Sequence, residues 1–176
     1  MLGNGAGRAR ANDRGNSKPV RRWRLLFLST GQKTLEQHRD EANQMHRAGM
    51  DIHMLGVPAD ANAGMGLFQE LHGFDNAADL SDSLKASVNK YYGTPLVKFL
   101  EALTTPDNMR TIIKAFPKKL QAFEKETLPK DASGQAHRAA ARFALAALAG
   151  EYATEWGATS WPAYTACNAV KACFSA

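Results

Sequence analysis

The run Leu25-Leu26-Phe27-Leu28, set between Arg24 and Ser29-Thr30-Gly31, constrains the fold more than any other stretch of the chain. Four apolar residues without alternation predict a strand covered on both faces, the pattern of a parallel sheet flanked by helices. Such a strand is central in its sheet. It ends in two hydroxyls and a glycine, and the carboxyl edge is where open α/β sheets hold ligands. Ser29 and Thr30 are therefore the first candidates for chemistry; the alternative is that they only turn the chain into the next helix.

Thr34-Leu35-Glu36-Gln37 has the form of a capping box, and Leu35, His38, Ala42 and Met45 continue at helical spacing until Gly49. His38 and His46 have no carboxylate at metal-binding spacing and read as surface or boundary residues. Asp51 to Val57 is expected to return as a second strand, joined to the first by a right-handed parallel crossover. Its exit, Pro58 to Gly66, would then lie at the same sheet edge as Ser29-Thr30-Gly31. Gly64-Met65-Gly66 is too short for a phosphate-binding fingerprint, and the chain has neither Gly-x-Gly-x-x-Gly nor Gly-Lys-Ser/Thr.

From Asn76 the pattern is helical to the end. Leu80, Leu84, Val88 and Tyr91 form a stripe that Gly93 stops. Thr94-Pro95 and Thr105-Pro106 each place a capping residue before a proline suited to a first helical turn. Met109, Ile112, Ile113, Phe116, Leu120, Phe123 and Leu128 keep one apolar face, with a kink or break expected at Pro117. Ser133 caps an alanine-rich helix over residues 135–156, with Ala136, Ala140, Phe143, Ala147 and Leu148 inward, and Trp161-Pro162 opens a last helix reaching Phe174. The expected fold class is α/β: a partial strand–helix–strand sheet followed by an all-helical bundle packed on it. The domains implied are a basic loop or disordered leader over 1–20, an α/β portion over 21–75 and a helical portion over 76–176.

Charge narrows the function. The chain of 176 residues carries a formal +5, and all of the excess lies at the start. Residues 1–24 hold Arg8, Arg10, Arg14, Lys18, Arg21, Arg22 and Arg24 against Asp13, an excess of six, while the remainder has fifteen basic and sixteen acidic side chains. A local polyanion contact fits this better than a generally basic surface. Asp13-Arg14-Gly15-Asn16 is a turn-forming cluster, so the leader reads as an exposed loop or loose hairpin. A membrane span needs about 18–20 unbroken apolar residues, which the chain lacks, and the start has no apolar signal core; no membrane partner and a cytoplasmic location are expected. Cys167 and Cys173 suggest neither a disulfide framework nor a zinc site.

Other chemistries find little support. Asp60 and Glu70 have no spacing that fixes them as a carboxylate pair, and Ser29 lacks the Gly-x-Ser-x-Gly elbow. Arg138 and Arg142, one helical turn apart, are positioned to reach a phosphate, to pair with Glu151 and Glu155, or to stand as a solvated edge.

The succession Met1 to Ala11, Trp23 to Gly31, Val57-Pro58-Ala59-Asp60-Ala61, Gly64-Met65-Gly66-Leu67-Phe68 and Leu71-His72-Gly73-Phe74 resembles a bacterial domain of unknown function, numbered nine-two-seven. Ser133-Gly134-Gln135 through Arg138, Arg142-Phe143-Ala144, Ala149-Gly150-Glu151, Gly157 and Trp161-Pro162 continue the match in order. That family resembles P-loop ATPases of the helicase and primase-helicase type, carried by phages, plasmids and integrated elements. The resemblance implies that the phosphate loop and the acidic magnesium-binding strand lie upstream of the segment aligned with Met1. The chain is then expected to be a fragment trimmed at each end, inactive as an ATPase alone, with ATP and Mg the cofactors of the full-length family and none its own.

Within that frame Ser29 and Thr30 resemble the tip of a sensor strand that contacts the γ-phosphate or the attacking water. Gln32 stands where the family carries an acid; it can orient a water but cannot take its proton. Arg24, with Arg21 or Arg22, is a candidate to stabilise phosphate charge across a subunit interface, and Arg138 or Arg142 a candidate sensor from the helical half. Arg8, Arg10, Arg14, Lys18, Arg21 and Arg22 are the candidate DNA contacts. The implied partners are DNA, the missing ATPase half and further copies of the chain in a homo-oligomer, acting in DNA replication or transfer. Two alternatives stand beside this: a nucleic-acid-binding or assembly module whose basic leader contacts phosphates without sequence preference, and a truncated remnant without activity.

Overall fold

Residues 5–11, 13, 15–23, 28–43 and 55–175 are described by the structure, a computed structural model. The chain divides into two units, Met1–Gly56 and Val57–Ala176. In the first, the segments on either side of the turn-forming cluster pair antiparallel, through isolated bridges at Ala6 with Arg22 and Ala11 with Ser17. Gly5, at φ +63°, begins this pairing in a left-handed conformation that glycine adopts without a Cβ penalty. A short helix follows, α1 (Leu35–Glu41). The capping box is as expected: the Thr34 hydroxyl accepts from the Gln37 N–H at 3.2 Å and the Gln37 side chain accepts from the Thr34 N–H at 2.9 Å. The helix is shorter than its apolar spacing implies, because Ala42 caps it and Asn43 turns left-handed at φ +49°.

The α/β expectation is overturned. Among the described residues there is no strand and no sheet; the regular elements are all helices. Leu28, the last residue of the supposed buried strand, is 98% exposed and in no regular structure, while Leu25, Leu26 and Phe27 lie outside the described residues. Of the supposed second strand, residues 51–54 also lie outside them, and Leu55, Gly56 and Val57 are irregular and exposed. The physical reason is that four apolar residues carry no periodicity that separates a strand from other buried or exposed segments. A parallel pair also has no independent stability without further strands or a covering layer.

Among the described residues the second unit holds five helices: α2 (Ala77–Lys90), α3 (Thr94–Leu103), α4 (Pro106–Thr127), α5 (Gly134–Glu155) and α6 (Thr165–Ser175). Asn76 caps α2 by accepting from the Asp79 N–H, and Ser133 caps α5 by accepting from the Ala136 N–H. At the two Thr-Pro junctions the prolines sit in the first turn as expected. Thr105 takes the N-cap position of α4, though its hydroxyl donates to the Ala102 carbonyl rather than accepting from the helix, whereas Thr94 is already helical behind its cap, Gly93. α4 runs through Pro117 as one helix rather than breaking there. α6 starts at Thr165, three residues beyond the expected Trp161-Pro162 opening.

The core lies where α4, α5 and α6 meet. Ala140, Ala144 and Ala147 are almost fully buried beside Phe123, with Leu120, Leu128, Phe143, Val170 and Phe174 packed around them. Phe174 presents its ring edge-on to both Phe123 and Phe143, at 6.2 and 5.2 Å between centroids, an arrangement that aromatic quadrupoles favour. Two polar ties close the bundle. Glu126 on α4 accepts from Lys171 on α6, a bond that raises the Lys171 pKa above its ordinary value despite some opposing desolvation. Any stability from that shift is complete below the ordinary lysine pKa and is lost as pH rises through the higher folded value.

Glu151 on α5 accepts from the backbone N–H groups of Tyr164 and Cys167 at 2.8 and 2.9 Å. It thus places a carboxylate on the unsatisfied donors at the start of α6. Cys167 is half-buried and Cys173 exposed, both as free thiols. By contrast α2 and α3 are largely wet: of the expected α2 stripe only Leu80 is buried, while Leu84, Val88 and Tyr91 face solvent. No helix among the described residues is long and apolar enough to cross a membrane.

Two outcomes follow from the α5–α6 contact. A Cβ on Gly150 would sit 2.4 Å from the Ala166 Cβ, so Gly150→Ala should destabilise the protein. The cost of such overpacking is about 1–3 kcal/mol, against the gain of up to about 1 kcal/mol that alanine brings to a helix interior. A lowered midpoint in urea unfolding checks this. Removing the carboxylate with Glu151→Ala should cost roughly 1–3 kcal/mol by leaving two donors without their acceptor, and Glu151→Gln should cost less. Equal midpoints for Glu151→Ala and the parent chain would show that water replaces the carboxylate without loss.

Candidate nucleic-acid interface

The basic leader folds back on itself, with its two arms tied at two places. Gly7 N–H donates to the Arg21 carbonyl at 2.9 Å and Trp23 N–H to the Gly5 carbonyl at 2.9 Å around the Ala6–Arg22 bridge, and Lys18 N–H donates to the Arg10 carbonyl at 2.8 Å beside the Ala11–Ser17 bridge. The first two bonds join odd-numbered pairs and the third an even-numbered one, so the pairing changes phase between the bridges and is not one continuous ladder. Arg10 stands directly opposite Lys18.

Gly7 has a structural use. A Cβ on Gly7 would lie 3.7 Å from the Trp23 ring, so the indole rests over a position where only backbone is present. Trp23 is half-buried there, while Arg8, Arg10, Lys18, Arg21 and Arg22 are exposed. None of these five cations forms an ion pair with a described acidic residue, and Asp13 is the lone acid of the segment. Like charges directly opposite each other repel, so the Arg10–Lys18 pair stores an unfavourable term that an anion would relieve.

The other candidates are not drawn into a site. Ser29, Thr30 and Gln32 are exposed and irregular, and a sensor role needs a sheet edge that the described residues do not form. Arg14 and Arg24 lie outside the described residues. Arg138 and Arg142 share the outward side of α5; the Arg138 Nε donates to the Gly134 carbonyl at 3.1 Å, and Arg142 is half-buried. The pairing with Glu151 that their spacing allows does not form, because Glu151 is engaged by α6. Asp60 and Glu70 are not brought together as a catalytic pair: Asp60 accepts from the Asn62 N–H, and Glu70 lies 3.9 Å from His72. Gly64 and Gly66 take positive φ in a loop closed by a bond from Ala61 N–H to the Gly66 carbonyl, which makes that stretch a connection. Among the described residues no cluster of His, Cys, Asp and Glu could hold a metal ion.

What the sequence did not reveal is which of the leader's cations stand opposite each other. The turn-forming cluster suggests a hairpin, but the pairing of Arg10 with Lys18 depends on where the two arms meet. No family model matches the chain, and neither a curated protein nor a solved structure does.

Proposed function

We propose that the chain is a DNA-binding module whose basic hairpin grips the phosphate backbone of single-stranded DNA without sequence preference, in the cytoplasm. The observation that carries this is exposure: Arg8, Arg10, Lys18, Arg21 and Arg22 all stand in solvent along one folded-back segment, and none of them pairs with a described acid. Arg side chains offer a planar fork for phosphate oxygens, and Lys a mobile point charge. Neither reads a base edge from such a position, so affinity should follow charge and salt rather than sequence. The resemblance to the nine-two-seven family favours DNA over RNA and a setting in replication or transfer of mobile elements.

ATP chemistry is a different matter. A sensor role for Ser29, Thr30 and Gln32 depends on a strand edge beside bound triphosphate, and with the sheet overturned that role has no support. The DNA contact needs only the hairpin.

The test is a salt series of binding to a homothymidine DNA oligomer. Each phosphate neutralised on a single strand contributes about −0.7 to the slope of log K against log salt. Four contacts therefore give a slope near −3 from the hairpin. Replacing Arg8, Arg10, Lys18 and Arg22 by Ala should remove about that much slope, while the corresponding Arg→Lys changes should keep most of it. Unchanged affinity and slope in the alanine variant would overturn the proposal, and equal binding to a homouridine RNA would overturn the preference for DNA.

A further inference from the structure

Helix α4 carries a second, independent row, of four cations and one amide. Arg110, Lys114, Lys118, Gln121 and Lys125 recur at steps of four, four, three and four residues, which places them on one side of the helix. All five are exposed. The opposite side holds Leu120 and Phe123 in the core, with Phe116 half-buried on the same side, so the row faces outward.

This row is not a by-product of net charge. Residues 57–176 contain twelve basic and twelve acidic side chains, so the second unit is neutral and the row arises by segregation. Of the acids of α4, Asp107 pairs with Arg110 at 2.7 Å and offsets the first cation of the row, whereas Glu124 lies 3.5 Å from His137 on α5 and Glu126 holds Lys171 on α6. The remaining lysine of the helix, Lys119, sits off the row, over the Tyr152 ring at 4.3 Å. Lys114, Lys118 and Lys125 are left without an ion pair or hydrogen bond among the described residues. Helical rise spaces them about 6 and then about 10 Å apart along the axis, with no acid between.

We infer that this face of α4 is a second phosphate-backbone contact, so that the helical unit binds single-stranded nucleic acid by itself. An acidic protein partner fits less well, because the row has no aromatic or aliphatic residue to serve as a buried anchor, and protein interfaces draw most of their energy from such anchors. A polyanion of regular charge needs none. Ammonium groups on flexible stems follow a phosphate chain without a fixed geometry, so sequence preference should again be absent.

The experiment uses the full chain with the hairpin already neutralised at Arg8, Arg10, Lys18 and Arg22, which separates the two contacts. Binding to a homothymidine oligomer should persist in that background, with a salt slope near −2 from about three contacts. Adding Lys114→Gln, Lys118→Gln and Lys125→Gln should lower the residual affinity at least tenfold at low salt, with an unchanged helical circular dichroism spectrum. If no residual binding remains before the lysines are changed, or if it survives their replacement, the inference falls whatever the hairpin does. Equal affinity for polyglutamate would overturn nucleic acid as the partner. Loss on lysine replacement with hairpin variants that bind normally would uphold this contact while the hairpin proposal failed.

Discussion

The close approach of α5 to its neighbours is the contact on which the helical unit depends. Alanines at 140, 144 and 147 bring the α5 backbone near enough for Phe123 and Phe174 to close over it, and Gly150 lets Ala166 come nearer than any side chain would allow. Small residues bury little apolar area each, so the gain comes from the aromatic rings that the small surface admits. This explains why α6 needs Glu151. A helix of eleven residues is marginal alone, and its start is stabilised where it meets α5 by a carboxylate donated from that same helix.

The outer helices follow a different balance. Lys98 on α3 donates to the Gly157 carbonyl at 2.7 Å, at the negative end of α5, and Phe99 lies 5.4 Å from Trp156, which stacks in turn on Tyr152. These local attachments hold the junction of α3 with α5. They do not cover Leu96, Val97 and Leu100, nor Leu84 and Val88 on α2, all of which remain exposed. Helical propensity and caps are enough to form α2 and α3, while the apolar stripes that would bind them into a core stay largely unfilled.

How much of this could be read from the residues depended on whether a local cause decided the outcome. Thr34, Asn76 and Ser133 cap as their chemistry dictates, and the alanine face of α5 was legible from spacing alone, since both are settled within a few residues. Leu25 to Leu28 was not legible. An apolar run becomes a central strand only if distant segments pair with it, and no local feature states whether they do. Thr105 shows the same limit on a smaller scale: a threonine before proline can cap, yet its hydroxyl found the Ala102 carbonyl first. For the candidate interface, the cations are visible as composition, but their opposition across the two arms depends on the pairing. The row on α4 follows the helical period as the apolar face does, and that period alone does not tell a binding row from a solvated side.

The separation of charge from packing has a consequence for how the two could have arisen. Every side chain in the central cluster is apolar, and Arg8, Arg10, Lys18, Arg21 and Arg22 of the hairpin, like Lys114, Lys118 and Lys125 of α4, form no ion pair with a described acid. A surface whose cations stabilise the fold through ion pairs cannot lose them to a ligand without weakening the structure. Here the cost runs the other way: unpaired like charges repel in the free protein, and a polyanion removes that repulsion as it binds. On the proposed reading, binding would therefore add to folding stability, and the cations could be exchanged in number or position without disturbing Phe123, Phe174 or the alanines between them.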